Sequence, residues 1–205
     1  MSLDISLQRL RSEVDPAYLE ELAATAAYLQ RAGVPQRAKQ QGEPAPDFAL
    51  ATSDAEFVVL GELLRQGPVI LSFLRSTSCP FCAARLQALV ASGAEVAAAG
   101  CSLVILLPDT PSGALSARLA RLPGAHALHD PDLGIALRYG LIYLSPPGTT
   151  PEGERRLFAM PADYVVSDDG RIVLARVSPD VTQRLAPSAL IAAARQLRTN
   201  GQGHK

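Results

Sequence analysis

Val69-Ile70-Leu71-Ser72-Phe73-Leu74-Arg75-Ser76-Thr77-Ser78-Cys79-Pro80-Phe81-Cys82 is the stretch on which the reading of this chain turns. Its first six residues are nearly all apolar, which suits a central strand buried on both faces. The cysteines open a segment of helical period that begins near Cys82. There Leu86, Leu89, Val90, Gly93 and Val96 share one face, while Arg85, Ser92 and Glu95 lie largely away from it. Two thiols three residues apart on one helical face are close enough for a disulfide, whose alpha carbons must lie within about 4.4 to 6.8 Å. The first thiol sits where free backbone amides and the positive end of the helix dipole favour a thiolate.

Downstream, Ser102 to Leu107 reads as a second apolar strand stopped by Pro108, and Ser112 to Arg121 as a helix. Strand, helix, strand, helix is the alternation of a parallel α/β unit. Asp130-Pro131-Asp132 reads as a cap before a short helix through Tyr139, ended by Gly140. Leu144 to Arg156, with Pro146, Pro147, Gly148 and Pro151, reads as a surface loop. Tyr164–Val166 and Arg171–Ala175 flank Ser167-Asp168-Asp169-Gly170, a strong hairpin signal. Pro187 to Leu197 is the last expected helix.

Upstream, Asp47–Leu50 and Phe57–Val59 read as short strands joined by Thr52-Ser53-Asp54, with a helical turn from Leu60 to Arg65 closed by Gly67. Leu3 to Ala32 is helical in two pieces broken at Asp15-Pro16, with Asp15 as cap and Pro16 at the first helical position. Leu19, Leu22, Ala26 and Leu29 form a stripe expected to pack on its own domain or on a second subunit, as in a homodimer. Gly33-Val34-Pro35 ends the segment, and 36–46 is a polar connector. The expected organisation is a helical arm and connector at 1–41, an α/β domain at 42–198 and a flexible tail at 199–205.

The 205 residues suffice for one medium domain with an extension, and a net charge of -1 offers no reason to expect nucleic acid or an acidic membrane as partner. No run of about 18 apolar residues marks a membrane span. The amino terminus lacks the basic and apolar regions of a signal peptide, so a cytoplasmic location is expected. With three cysteines, two of them in Cys-x-x-Cys spacing, a reactive pair is expected rather than a disulfide framework.

The chain resembles the thioredoxin-fold superfamily and, within it, the peroxiredoxin-like AhpC/TSA family, through its Cys-Pro-Phe-Cys motif at 79–82 and three further matches. Gly42 to Leu50 is similar to that family's first strand, Leu128-His129-Asp130-Pro131 to its Leu-x-Asp-Pro turn, and Met160-Pro161-Ala162 to the start of a late strand. The similarity runs from about Gly42 to Leu197. It implies a thioredoxin-like fold with a central mixed sheet flanked by helices, a cis Met160-Pro161 bond facing the cysteines, and no cofactor. Two departures stand out: Ser72 occupies the place of a proline, and Ala162-Asp163 offers no arginine where peroxiredoxins carry one.

Cys79 is the expected attacking thiolate and Cys82 the resolving thiol, acting on a hydroperoxide or on another protein's disulfide and recharged by a thioredoxin-like thiol reductant. A redox-inert interaction protein on the same fold is the remaining alternative. Arg75 either stabilises the thiolate or solvates the strand end. Ser76 and Thr77 are expected to cap the helix. Pro161 is the expected supporting residue across from the pair. Cys101 is read as packing, His126 and His129 as surface turn residues rather than zinc ligands, and Arg184 as a solvated charge.

Overall fold

The computed structural model describes residues 3–52, 56–110, 112–147 and 155–202, with side chains as far as Thr199. The chain enters through α1 (Leu3–Glu13) and α2 (Pro16–Arg31), divided where expected: the Asp15 carboxylate accepts from the Ala17 amide, and Pro16 needs no partner at the first helical position. Gly33 turns the chain at φ 66°. The connector then starts with a helical turn of its own, α3 (Val34–Arg37), set by Pro35 and anchored by buried Val34.

β1 (Ala49–Ala51) and β2 (Phe57–Val59) pair antiparallel, and α4 (Leu60–Leu64) follows. Ser53 and Asp54, expected in the turn between them, lie outside the described residues. β3 (Val69–Phe73) is buried at every position. The single helix expected after it is two, α5 (Pro80–Ala91) and α6 (Gly93–Ala98). The break falls at Ser92, whose amide and hydroxyl both donate to the Ala88 carbonyl, and Gly93 leaves no room for a Cβ beside Leu122.

β4 (Ser102–Leu107) and α7 (Gly113–Leu119) match expectation, and Ser112 caps the helix by accepting from the Leu115 amide. β5 (Ala125–His129) corrects the reading of His126 and His129 as turn residues. The strand escaped notice because its only apolar residues are Ala125, Ala127 and Leu128. α8 (Gly134–Arg138) is held by Asp130, whose carboxylate accepts from the amides of Ile135 and Ala136 at 3.1 and 3.0 Å.

β6 (Ile142–Leu144) and β7 (Leu157–Ala159) pair antiparallel, so the expected loop is the head of a hairpin; residues 148–154 of it lie outside the described residues. β8 (Ala162–Val166) and β9 (Ile172–Val177) form the expected late hairpin. α9 (Pro187–Gln202) runs past its expected end at Leu197, and of the expected tail residues 203–205 lie outside the described residues.

The main sheet has the order β5-β4-β3-β8-β9, with β3, β4 and β5 parallel and β8 and β9 added antiparallel. This is the mixed α/β architecture expected. Strand alternation sends Val69, Leu71 and Phe73 to one face, where they pack with Tyr139 and Tyr164. It sends Ile70 and Leu74 to the other, with Leu89 and Val90 of α5, Val96 of α6 and Leu190 of α9. Ser72 belongs to that second face, as does its cross-strand partner Asp163. Among the described residues no helix is long and apolar enough to cross a membrane.

Candidate active site

β3 releases the chain at its carboxyl end, where the Leu74 amide makes one last bond, 3.0 Å, to the Leu106 carbonyl. The next residues turn into α5, with Cys79 as its N-cap in extended conformation and Pro80 at the first helical position. Ser76 and Thr77 do not cap this helix. Their hydroxyls, at 3.2 and 2.9 Å, and the Thr77 amide, at 2.6 Å, converge on the Asp109 carboxylate. The reason is register: β3 pairs with β4 as Phe73 with Leu106, so the same offset carried past the strand ends sets Ser76 opposite Asp109. The acid is thereby the anchor of the turn, a role its place after Pro108 could have suggested.

Cys79 and Cys82 are both free thiols, 2% and 0% exposed. Each sets the other's ionisation. The Cys82 thiol is held low, to about 5, first by the hydrogen bond it accepts from Cys79, then against its own burial by the charge of Arg184 and the amides of Arg75 and Ser76. Cys79 is pushed up, chiefly because it gives that hydrogen bond and because it is buried, with the Cys82 amide and Arg75 opposing. The negative charge therefore rests towards Cys82 rather than at the helix cap.

Arg184 is the group that pattern-reading missed. Instead of standing in solvent it is 9% exposed, with Nη2 3.9 Å from the Cys82 sulfur. Arg75 also faces the pair, its guanidinium 5.3 Å above the Phe158 ring. Tyr143 faces Arg75 from β6 and is raised by burial.

The arm closes the site. Leu3, Leu7 and Leu22 from α1 and α2 form one buried cluster with Cys79, Phe81, Cys82 and Val181. Tyr18 packs against it and is pushed up to about 12, first by burial and then by the charge and hydrogen bond of Cys79. Of the two docking alternatives read from the stripe, packing on its own domain is what this chain does.

Behind the thiols lies a buried polar triad. Asp163 accepts from Ser72 at 2.7 Å and from Arg85 Nη2 at 2.9 Å, and Arg85 is 0% exposed. Arg85 also donates to the Leu185 carbonyl. The expectation that Arg85 lies away from the apolar face is thus corrected: it enters the core because a carboxylate on β8 waits there. Pro161 is buried where β8 begins, level with the end of β3, and its carbonyl accepts from Ser178 at 3.2 Å. Its peptide bond is trans, since among the described residues none is cis. Strand-like bonds from Met160 to Leu141 and from Ser178 to Pro161 hold that extended path, and trans is the lower-energy isomer.

The profile of the AhpC/TSA family matches residues 41–175. The chain belongs to the AhpC/TSA family. No curated protein matches it. Solved structures with the same fold include the peroxidoxin BcpB of Mycobacterium tuberculosis, 20% identical, with a TM-score of 0.57 over 78% of this chain and 98% of that one. Peroxiredoxin Q of Xanthomonas campestris is 18% identical, with a TM-score of 0.56 over 77% and 98%. A Chlorobium tepidum chain assigned as the thiol:disulfide interchange protein DsbE is 22% identical, with a TM-score of 0.50 over 78% and 96%. The fold is thioredoxin-like, as the resemblance implied.

Ser72, which resemblance sets where peroxiredoxins have a proline, is the cross-strand partner of Asp163 and hydrogen-bonds to it directly; neither Ala162 nor Asp163 is an arginine. The structure thus gathers Cys79, Cys82 and Arg75 at the mouth of α5, turns Ser76 and Thr77 to Asp109, and adds Tyr18 and Arg184.

Proposed function

We propose that this chain is a thiol peroxidase that reduces hydroperoxides through Cys79 and Cys82 and is recharged by a thioredoxin-like thiol in a reducing compartment such as the cytoplasm. The observation that carries the reading is a pair of free thiols, Cys79 at the N-cap of α5 and Cys82 in its first turn, with Arg184 Nη2 3.9 Å from the Cys82 sulfur and Arg75 facing them. When the proton shifts to Cys82, the charge falls on Cys79, the outer sulfur. That thiolate attacks the peroxide, breaking the O–O bond to give a Cys79 sulfenic acid and an alcohol, whose oxygen takes a proton from solvent. Cys82 then displaces water from the sulfenic sulfur and the disulfide closes. In sum, two thiols and one hydroperoxide give one disulfide, one alcohol and one water. Access requires the arm to move off the pair, because both sulfurs lie beneath α1 and α2.

The second reading, exchange with a protein disulfide, is favoured by one observation: Ser72, which resemblance sets at the peroxiredoxin proline, is tied up in the Ser72–Asp163–Arg85 triad, and Ala162-Asp163 supplies no arginine. Rapid mixing of the reduced protein with hydrogen peroxide, an organic hydroperoxide and a protein disulfide separates the two. Attack on peroxide far faster than by a free thiol is the expected result. Attack at the free-thiol rate, with rapid exchange on the disulfide, would overturn it in favour of the second reading.

A further inference from the structure

Arg184 also lines a concavity that neither Cys79 nor Cys82 lines. It is a cleft of about 370 Å³ between α1 and the segment that follows β9, lined by Asp4, Leu7, Gln8 and Arg11 on the arm and by Arg176 and 182–185 on the domain. Its size is at the small end for a ligand site. Three arginines line it against a single acidic residue, Asp4. Arg11 donates through Nη2 to the Thr182 hydroxyl at 2.6 Å and to the Thr182 carbonyl at 3.3 Å. Asp180 lies nearby, but its carboxylate accepts from the amide and hydroxyl of Thr182. Arg176 is exposed on β9.

Arg184 is the decisive member. It is nine-tenths buried, its buried Nε has no hydrogen-bond partner among the described residues, and Nη2 makes only the long contact of 3.9 Å to the Cys82 sulfur. A buried guanidinium with few of its donors met is costly, and its planar fork matches the paired oxygens of a carboxylate or a phosphate; Leu7 and Leu185 give the lining an apolar share that suits an organic acid.

We propose that this cleft binds a small organic carboxylate through Arg11, Arg176 and Arg184, with Arg184 shared between the ligand and the Cys82 sulfur. The site differs from the dithiol itself, whose sulfurs do not line the cleft. Sharing has a consequence. A carboxylate on Arg184 takes up part of the positive charge that holds the dithiol anion, so a bound ligand disfavours the thiolate. The other groups facing the pair, Arg75, Tyr18 and Tyr143, stand away from the cleft lining and are left as they are.

The test uses the full-length reduced protein with succinate as probe, binding read by titration calorimetry and the thiolate by its ultraviolet absorbance across pH. The expected result is saturable binding with a thiolate midpoint that moves to higher pH when the site is filled. Arg176→Gln, at an exposed position outside the dithiol, should lose at least about tenfold in affinity, as removal of a charged hydrogen-bond partner implies, while its ligand-free midpoint stays in place. Absence of saturable heat would overturn the site. So would an equal midpoint shift in chloride of matched ionic strength, or affinity undiminished in both R176Q and R11Q. Inorganic phosphate binding as tightly as succinate would overturn the carboxylate assignment. None of these readouts involves peroxide, so the site can fail while the peroxidase reading stands, and the reverse.

Discussion

Cys101 and the Cys79–Cys82 pair are buried in the same domain, yet their surroundings give them opposite chemistry. Cys101 stands before β4 with only the Val96 carbonyl to donate to, at 3.3 Å, and burial pushes its thiol up to about 11 against the weaker pull of Arg198 and Arg195. The pair is more deeply buried, but it has a second thiol, two arginines and the amides of a helix mouth around it. Burial alone makes a cysteine inert; burial with positive partners makes it acidic. The difference lies in what the backbone brings alongside.

The largest expected effect breaks the pair itself. Cys79→Ser or Cys82→Ser should bring peroxide turnover down to the background of the remaining thiols, whereas Cys101→Ser should leave it within about twofold, as expected for a group that only packs. Steady-state peroxide consumption with a thiol reductant measures both. Next comes the support. Arg85→Met strands the Asp163 carboxylate in the core and should cost about 3–5 kcal/mol in urea unfolding, with Asp163→Asn in the same chain restoring part of it. Cys101, on a different element, should keep its own slow labelling in any variant that still folds.

Smaller still is the electrostatic contribution of one arginine. Arg184→Gln should raise the first ionisation of the dithiol by about one unit, about 1.4 kcal/mol, and leave Cys101 where it is. Tyr18→Phe should change the rate at which the pair reacts by about fivefold, the worth of one hydrogen bond of about 1 kcal/mol. A separate effect, read against pH, is on stability and has opposite signs in the two regions. Cys82, lowered to about 5, contributes stability that is present at high pH and lost as pH falls from about 9 towards 5. Cys101, raised to about 11, contributes stability present below about 9 and lost as pH rises towards 11. Urea unfolding of Cys82→Ser should flatten the first slope, and Cys101→Ala should flatten part of the second, where Cys79 and the buried tyrosines also act.

Much of this was legible from residue order. The apolar run at 69–74, the cap at Asp15-Pro16 and the Asp-Gly hairpin announce themselves because local pattern and final environment agree. What stayed hidden depended on residues far apart in the chain. Arg85 reads as a surface charge until β8 places Asp163 opposite Ser72, and Arg184 reads as solvated until the segment after β9 folds back beneath α5. His126 and His129 hid a strand, because an edge strand with two polar residues lacks a clear alternation. The arm's stripe was visible, but not that it would close over the two sulfurs.

The central claim is that Cys79 and Cys82 act as one redox unit from which Cys101 is excluded. Its most direct test is to treat the reduced full-length protein with one equivalent of hydrogen peroxide, block free thiols after denaturation, and map the peptides by mass. The account expects the loss of two hydrogens, a Cys79–Cys82 disulfide and a blocked, unoxidised Cys101. Three free thiols after treatment, or oxidation spread equally over all three cysteines, would contradict it.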